Sequence, residues 1–328
     1  MHGDTQGVFL RSSPTEERGG MSGVSDKKTG IAIIAPGGYA QDEAAFLRAL
    51  SELESTYRVY NYYRHTARTT RFSASDADRL HQIYSAADNA DVDVVIALRG
   101  GYGVSRLLPH LDFDRVAASG KCFVGHSDFT AFQMGLLSRS HAVSFAGPMI
   151  CNDFSRDDKS RFTLDHFWRT LRGPACHVQW ETDNSLSIDV SGMLWGGNLS
   201  MLLHLIGTPW LPQIENGILF VEDVNEHPYR VERMLLTLHY SGILARQRAL
   251  LLGDFSAYAL GDYDNGYNFD AMLTWLRAQV PIPILTGLPF GHIRDKVTLP
   301  VGGSAHLVAV DGRVLLDVDH YPTLAGRK

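Results

Sequence analysis

Cysteine is scarce in this chain, three residues in 328. Cys122, Cys151 and Cys176 are odd in number and form no CxxC pair, the pattern of three buried thiols in a reducing compartment, so a cytoplasmic protein is expected. An excess of positive charge is also missing: 30 Lys and Arg stand against 36 Asp and Glu, for a net charge of -6. Nothing in that balance draws the chain to phosphate backbones, so nucleic acid is not an expected partner. No apolar run approaches the roughly 18 residues that span a bilayer, and residues 1–29 contain no secretory apolar region. Membrane insertion is therefore not expected. Neither GxGxxG nor GxxxxGK[ST] occurs, and HExxH and HxxxH are absent, which disfavours nucleotide loops and zinc.

What is present is a chain long enough to bury about 75% of its unfolded surface, with 45% hydrophobic residues. Two domains are expected. Residues 1–29, rich in Gly, Ser, Thr and charge, read as a disordered leader outside the fold, with Met21 an alternative start. From Gly30 short apolar runs alternate with amphipathic stretches: Ile31 to Ala35, Asp42 to Leu53, Tyr57 to Tyr60, Asp76 to Asn89, Val92 to Leu98. Runs such as IAIIA and VDVVIAL are apolar on both faces, as parallel strands covered by helices must be, and Ser73 and Ser75 are candidate helix caps. A parallel α/β domain over 30–150 follows, continuing through Cys122 to Gly125 and a helix from Thr130. Residues 151–190 read as a linker, and 191–328 as a mixed α/β domain. Near its end, turns at Gly302-Gly303 and Asp311-Gly312 predict hairpins.

Ligands of parallel sheets bind at the carboxyl ends of strands, so the loops there carry the functional reading. Ala35-Pro36-Gly37-Gly38-Tyr39 reads as a tight turn or an anion loop. Arg99-Gly100-Gly101-Tyr102-Gly103 has three glycines, which let backbone N–H groups approach developing negative charge. Arg99 is a candidate carboxylate anchor or a surface ion-pair partner. Gly125-His126-Ser127-Asp128-Phe129 leads straight into an apolar helix, so Ser127 is either an exposed nucleophile on a sharp turn or, like Asp128, a helix cap; Phe129 departs from GxSxG. A serine nucleophile needs a base and a carboxylate to orient it. Glu222 and Asp223 end the strand GILFVED, and His292 follows GLPFG; His126, His204, His227 and His239 are rival bases.

With these residues in place, the chain resembles the serine L,D-carboxypeptidase family, the muramoyltetrapeptide carboxypeptidases, from about Gly30 to Asp317. The motifs that carry the resemblance, in order, are IAIIAPGG, RFSASDADR, DVDVVIALRGGYG, FVGHSDFTA, AGPM, WGGNLSMLLHLIGTPWLP, ILFVEDVNEHPYRVERML and GLPFGHIRDKVTLPVG. Each is weak alone, and together they are specific. The resemblance implies a flavodoxin-like or amidotransferase-like N-terminal domain, a mixed C-terminal domain and an active site at their interface. It implies Ser127 as nucleophile, Glu222 as orienting carboxylate and His292 as general base. An oxyanion hole from the N–H groups of Asp128 and Gly101 is implied, with Asn198 shaping the pocket. The implied reaction releases terminal D-alanine from murein tetrapeptides in cell-wall recycling, without metal or organic cofactor, by a homodimer. Arg99, Arg230 and Arg294 are candidates for gripping the terminal carboxylate. The leader is a departure from the family pattern. Two other readings are a self-immunity peptidase of the same family acting on a peptidyl-nucleotide antibiotic, with Trp195, Trp210 or Tyr229 as stacking platform, and a non-catalytic binder of peptides or sugars.

Overall fold

The computed structural model describes residues 28–183 and 185–326; the expected leader lies outside them except for its last two residues. The alternation at the start of the fold becomes β1 (Gly30–Ile34), α1 (Glu43–Thr56), β2 (Arg58–Asn61), α2 (Asp76–Asp88), β3 (Val94–Ala97), α3 (Val104–Leu107), α4 (Phe113–Ala118), β4 (Cys122–Gly125), α5 (Thr130–Ser140) and β5 (Ser144–Ala146). Every residue of β1, β3, β4 and β5 is buried. A strand covered by helices on both faces has no solvent side, so these runs carry no polar alternation. Helix starts follow capping chemistry: Asp42 accepts from Ala45 N–H (2.8 Å) and Ser75 from Asp78 N–H (3.1 Å). Ser73, also a candidate cap, is instead buried and donates to the carbonyl of Ala35.

β1 to β5 pair in parallel in the order β2-β1-β3-β4-β5. That is the flavodoxin-like order, whose strand direction of progress reverses between β1 and β3. The loops leaving those two strands are the Pro-Gly-Gly and Arg-Gly-Gly loops, and β4, which carries Ser127, is the next strand along.

The stretch read as a linker contains α6 (Arg161–Arg172) and β6 (Cys176–Glu181). Beyond it come β7 (Ile188–Asn198), α7 (Leu199–His204), β8 (Gly217–Val224), α8 (Pro228–Tyr240), β9 (Gln247–Ser256), α9 (Phe269–Gln279), β10 (Ile284–Leu285), β11 (Leu299–Val301), β12 (Ser304–Val310) and β13 (Arg313–Asp319). A second sheet has the order β10-β9-β8-β7-β12-β13-β6. β7 joins its two halves: Ile188 to Met193 pair antiparallel with β12, and Leu194 to Asn198 pair parallel with β8. Asn198 and Glu222 are thereby set side by side.

Asp311-Gly312 makes the expected two-residue hairpin between β12 and β13, with both φ values positive. The turn at Gly302-Gly303 departs from the hairpin expectation, because β11 pairs antiparallel with β5 and becomes the edge of the first sheet. Burial explains the difference. Leu299, Pro300 and Val301 are all buried, whereas β12 alternates buried and exposed positions as a one-sided strand does.

Candidate active site

β4 ends at Gly125, and within two residues the chain changes from extended to helical. Ser127 takes up the bend at φ 60°, a left-handed conformation that costs a residue with a side chain about 1–2 kcal/mol. It opens a 3₁₀ turn, Ser127–Phe129, that runs directly into α5. Two glycines make room. A Cβ on Gly125 would stand 2.7 Å from the Phe129 ring, and a Cβ on Gly100 would stand 2.7 Å from both Cβ and Oγ of Ser127. Phe129, at the place of the second glycine of GxSxG, thus packs into space left by the first.

No side chain caps the turn or α5, so Ser127 and Asp128 are not acting as helix caps. Among the described residues the partly exposed Ser127 hydroxyl makes no hydrogen bond. Asp128 reaches back to accept from Val104 N–H (3.1 Å), fastening the Arg-Gly-Gly loop to the bend. Burial pushes its carboxyl up to about 6, against the pull of that N–H and of the Arg79 charge. The two loops at the reversal point are tied to each other as well. Gly38 N–H donates to Gly100 (3.1 Å). The wholly buried Arg79 donates to the carbonyls of Pro36 and Gly103, pairs with Asp76 (2.5 Å) and lies over the Phe72 ring (4.8 Å). The motif RFSASDADR is therefore the clamp of these loops, a role its spacing did not disclose.

The side that holds Glu222 and His292 is built from β7, β8 and the segment after β10. Glu222, completely buried near the end of β8, accepts from His292 Nδ1 at 2.7 Å and from Asn198 Nδ2 at 3.3 Å. A carboxylate only accepts, so Nδ1 carries the imidazole proton and Nε2 is bare, the tautomer a general base needs. Burial alone would lower the pKa of His292; the hydrogen bond and charge of Glu222 outweigh it and raise it above the ordinary histidine value, while Lys296 opposes. Asp223 is occupied elsewhere, accepting from Asn198, Val224 and Ser200. Asn198 is buried behind Glu222, its Nδ2 shared by both carboxylates and its Oδ1 capping α7 through Met201 N–H (3.2 Å).

Of the rival histidines, His227 pairs with Asp264 (3.1 Å) and His204 is exposed. His239 lies on α8, partly buried. His126 is buried, donates from Nδ1 to Gly147 O (2.9 Å), and has its ring 5.2 Å from that of His292. Burial, with Lys296 and His292 adding, holds its pKa well below the ordinary value. The structure thus brings Glu222, His292 and the residue before Ser127 into one cluster, with no hydrogen bond from His292 to Ser127. Asp128 follows Ser127 in the chain, and Gly101 follows the glycine that touches it.

Among the arginines, Arg230 pairs with Glu226 (3.7 Å) and Arg294 pairs doubly with Asp295 (3.0 Å each). Arg99 donates to Tyr39 O (3.4 Å) and lines two cavities of about 300 and 120 Å³. Cys151 lines the larger one, partly exposed where a buried thiol was expected; burial pushes its pKa up to about 12, so it is a poor nucleophile. Trp195 is core, donating to Gln247 (2.8 Å); Trp210 is half-buried and Tyr229 exposed. Sequence reasoning missed one buried ion pair, Lys296 with Asp153 at 2.7 Å. Among the described residues no three His, Cys, Asp or Glu side chains converge as a metal site, and no helix is long and apolar enough to cross a membrane.

Comparisons with known proteins bear on the family and the fold. Family models described as the LD-carboxypeptidase N-terminal and C-terminal domains match residues 31–147 and 191–307. The crystal structure of a muramoyltetrapeptide carboxypeptidase from Oxalobacter formigenes is 58% identical, superposes with a TM-score of 0.86, and covers 90% of this chain and 100% of that one. The murein tetrapeptide carboxypeptidase of Pseudomonas aeruginosa is 30% identical over 84% of this chain and 92% of its own length. The microcin C7 self-immunity protein of Escherichia coli is 26% identical over 70% of this chain and 75% of its own.

Proposed function

Because the chain belongs to the LD-carboxypeptidase family, we propose that this serine L,D-carboxypeptidase removes the terminal D-alanine of murein tetrapeptides with Ser127, Glu222 and His292 as its triad. The observation that carries the assignment is the buried Glu222 bonded to His292 Nδ1 at 2.7 Å, with the His292 ring 5.2 Å from that of His126, the residue before a serine held at φ 60°. In this reading the site forms where the turn after β4 meets the end of β8 and the segment after β10. Ser127 Oγ attacks the carbonyl carbon between the L-centre of the diamino acid and D-alanine, and His292 Nε2 takes the hydroxyl proton. Glu222 keeps the imidazole in its tautomer and stabilises the imidazolium. N–H groups of Asp128 and Gly101 receive the oxyanion. Each such donor is worth about 3 kcal/mol of barrier. His292 then gives its proton to the leaving amine, and water releases the acyl group from Ser127 by the same steps. Arg99, the candidate with no carboxylate partner among the described residues, lies nearest in sequence to the oxyanion loop and takes the terminal carboxylate. No step calls for a metal or cofactor. The enzyme acts in the cytoplasm, as a homodimer, on peptides recovered from the cell wall.

A nucleotide leaving group would need an exposed stacking surface; Trp195 is buried and Trp210 half-buried, which leaves the exposed Tyr229 as the one open platform of the three candidates. The bonded Glu222 and His292 have no evident purpose in a plain binder. The test is D-alanine release from purified murein tetrapeptide, followed by mass spectrometry. Wild type releases it and Ser127→Ala does not; absence of release from wild type removes the reading and makes peptidyl-nucleotides the next substrate to try.

A further inference from the structure

His292 lies on a strap closed at its base by Val297 N–H donating to Pro289 O (2.8 Å). The strap is fastened at four more places. Asp254 N–H donates to Phe290 O (2.8 Å), Glu222 takes His292, Thr163 Oγ1 donates to Arg294 O (2.9 Å) and accepts from Lys296 N–H (2.8 Å), and Lys296 Nζ reaches Asp153. The last is unlike the rest. The Lys296 and Asp153 side chains are only 2% and 3% exposed, and the second carboxylate oxygen accepts from Met149 N–H (2.8 Å). Burying two charges costs several kcal/mol per ion before their attraction is counted, so such a pair seldom stabilises a fold more than apolar residues of the same volume would. Its position is what distinguishes it. Asp153 belongs to the π-helical turn Ile150–Phe154, which follows β5 of the sheet that carries Ser127, while Lys296 is four residues from His292.

We propose that Lys296, held by Asp153, is a positioning residue of the reaction: it fixes the strap that carries His292 against the serine-bearing sheet and places a positive charge behind the imidazole. The proposal rests on His292 being the base. The charged groups around His292 are Glu222 and Asp223 from β8, Asp254 of β9 against the neighbouring Gly291, His126 from the turn after β4, the mutually paired Arg294 and Asp295 on the strap, and Lys296 with Asp153. The Lys296 charge opposes protonation of both His126 and His292. It thereby limits how far Glu222 can raise the imidazole, and leaves more of the neutral base near neutral pH.

The test combines an imidazole NMR titration with steady-state release of D-alanine. Lys296→Met is compared with wild type, and Lys296→Met/Asp153→Leu serves as the apolar replacement that folds if the single variant does not. The His292 midpoint is expected to rise by about one pH unit, and kcat to fall about 10- to 100-fold with KM changed less than about twofold. A midpoint unmoved in a folded variant, or a change confined to KM, overturns the proposal. Undiminished release by His292→Ala would instead remove the base assignment itself, an outcome the titration keeps separate.

Discussion

Ser127 occupies a backbone conformation that glycine would adopt without strain. Exchanging it for alanine or glycine therefore separates strain from chemistry. Both variants should lose turnover, while Ser127→Gly should resist urea better than Ser127→Ala by about 1 kcal/mol. His292 gives a second prediction. Its pKa is raised in the fold, so the stabilisation from its bond to Glu222 is complete below the unfolded value of about 6.5 and is lost as pH rises through the folded value. As the proposed base, His292 would work only when neutral, so kcat/KM should fall as the pH drops through that same raised value. Glu222→Gln should move this acid limb to lower pH and cut kcat by about 10²- to 10⁴-fold, which a pH–rate profile reads directly. Asp128 has the opposite meaning for stability. Its folded pKa of about 6 lies above that of an unfolded carboxyl, so the cost of ionising it is absent below about pH 4 and complete above about pH 6–7. Asp128→Asn, which keeps an acceptor for Val104, should gain on wild type in denaturant melts as pH is raised through that window.

At the scale of elements, the loops after β1, β3 and β4 behave as one interlocked group. Gly100→Ala would push a methyl into Ser127 and should abolish turnover at small cost in melting temperature; a fully active Gly100→Ala enzyme would contradict the described packing. Arg79→Met leaves the carbonyls of Pro36 and Gly103 without their donor, and should cost about 2–5 kcal/mol in stability as well as activity. Much of this level was legible beforehand. Strand and helix positions followed from apolar runs and caps, and Ser127, Glu222 and His292 each fell at the end of an apolar run or after a glycine turn. The clamps were not legible, for a physical reason. Lys296 stands beside Arg294 and Asp295 in sequence and reads as surface charge; its partner Asp153 is 143 residues away in a polar stretch. Burial of a charge is a tertiary property, and only the fold exposes it. Asn198 was noticed through its motif, yet its bond to Glu222 depends on β7 and β8 pairing in register.

At the scale of the whole molecule, the two sheets cannot be separated by one cut in the chain. The parallel order of the first sheet was readable from its alternating pattern, but its sixth strand was not: Leu299 to Val301 were expected in a hairpin with the strand that follows, and instead cross to β5. Turn chemistry fixes where a chain bends and leaves open which edge the next strand joins. Leu299→Ala should cost about 2–5 kcal/mol, and hydrogen exchange at the β5 amides should rise with it if the edge pairing matters as described.

That crossing also sets an order of events during synthesis. At about 5–20 residues per second, β11 leaves the ribosome roughly 8–30 s after β5. Through that interval the sheet that leads into Ser127 has an open edge, and His292 is made only a few residues before the strand that closes it. Under the proposed triad, a nascent or truncated chain carries Ser127 without His292, and hydrolytic competence is expected only with completion of the sheet.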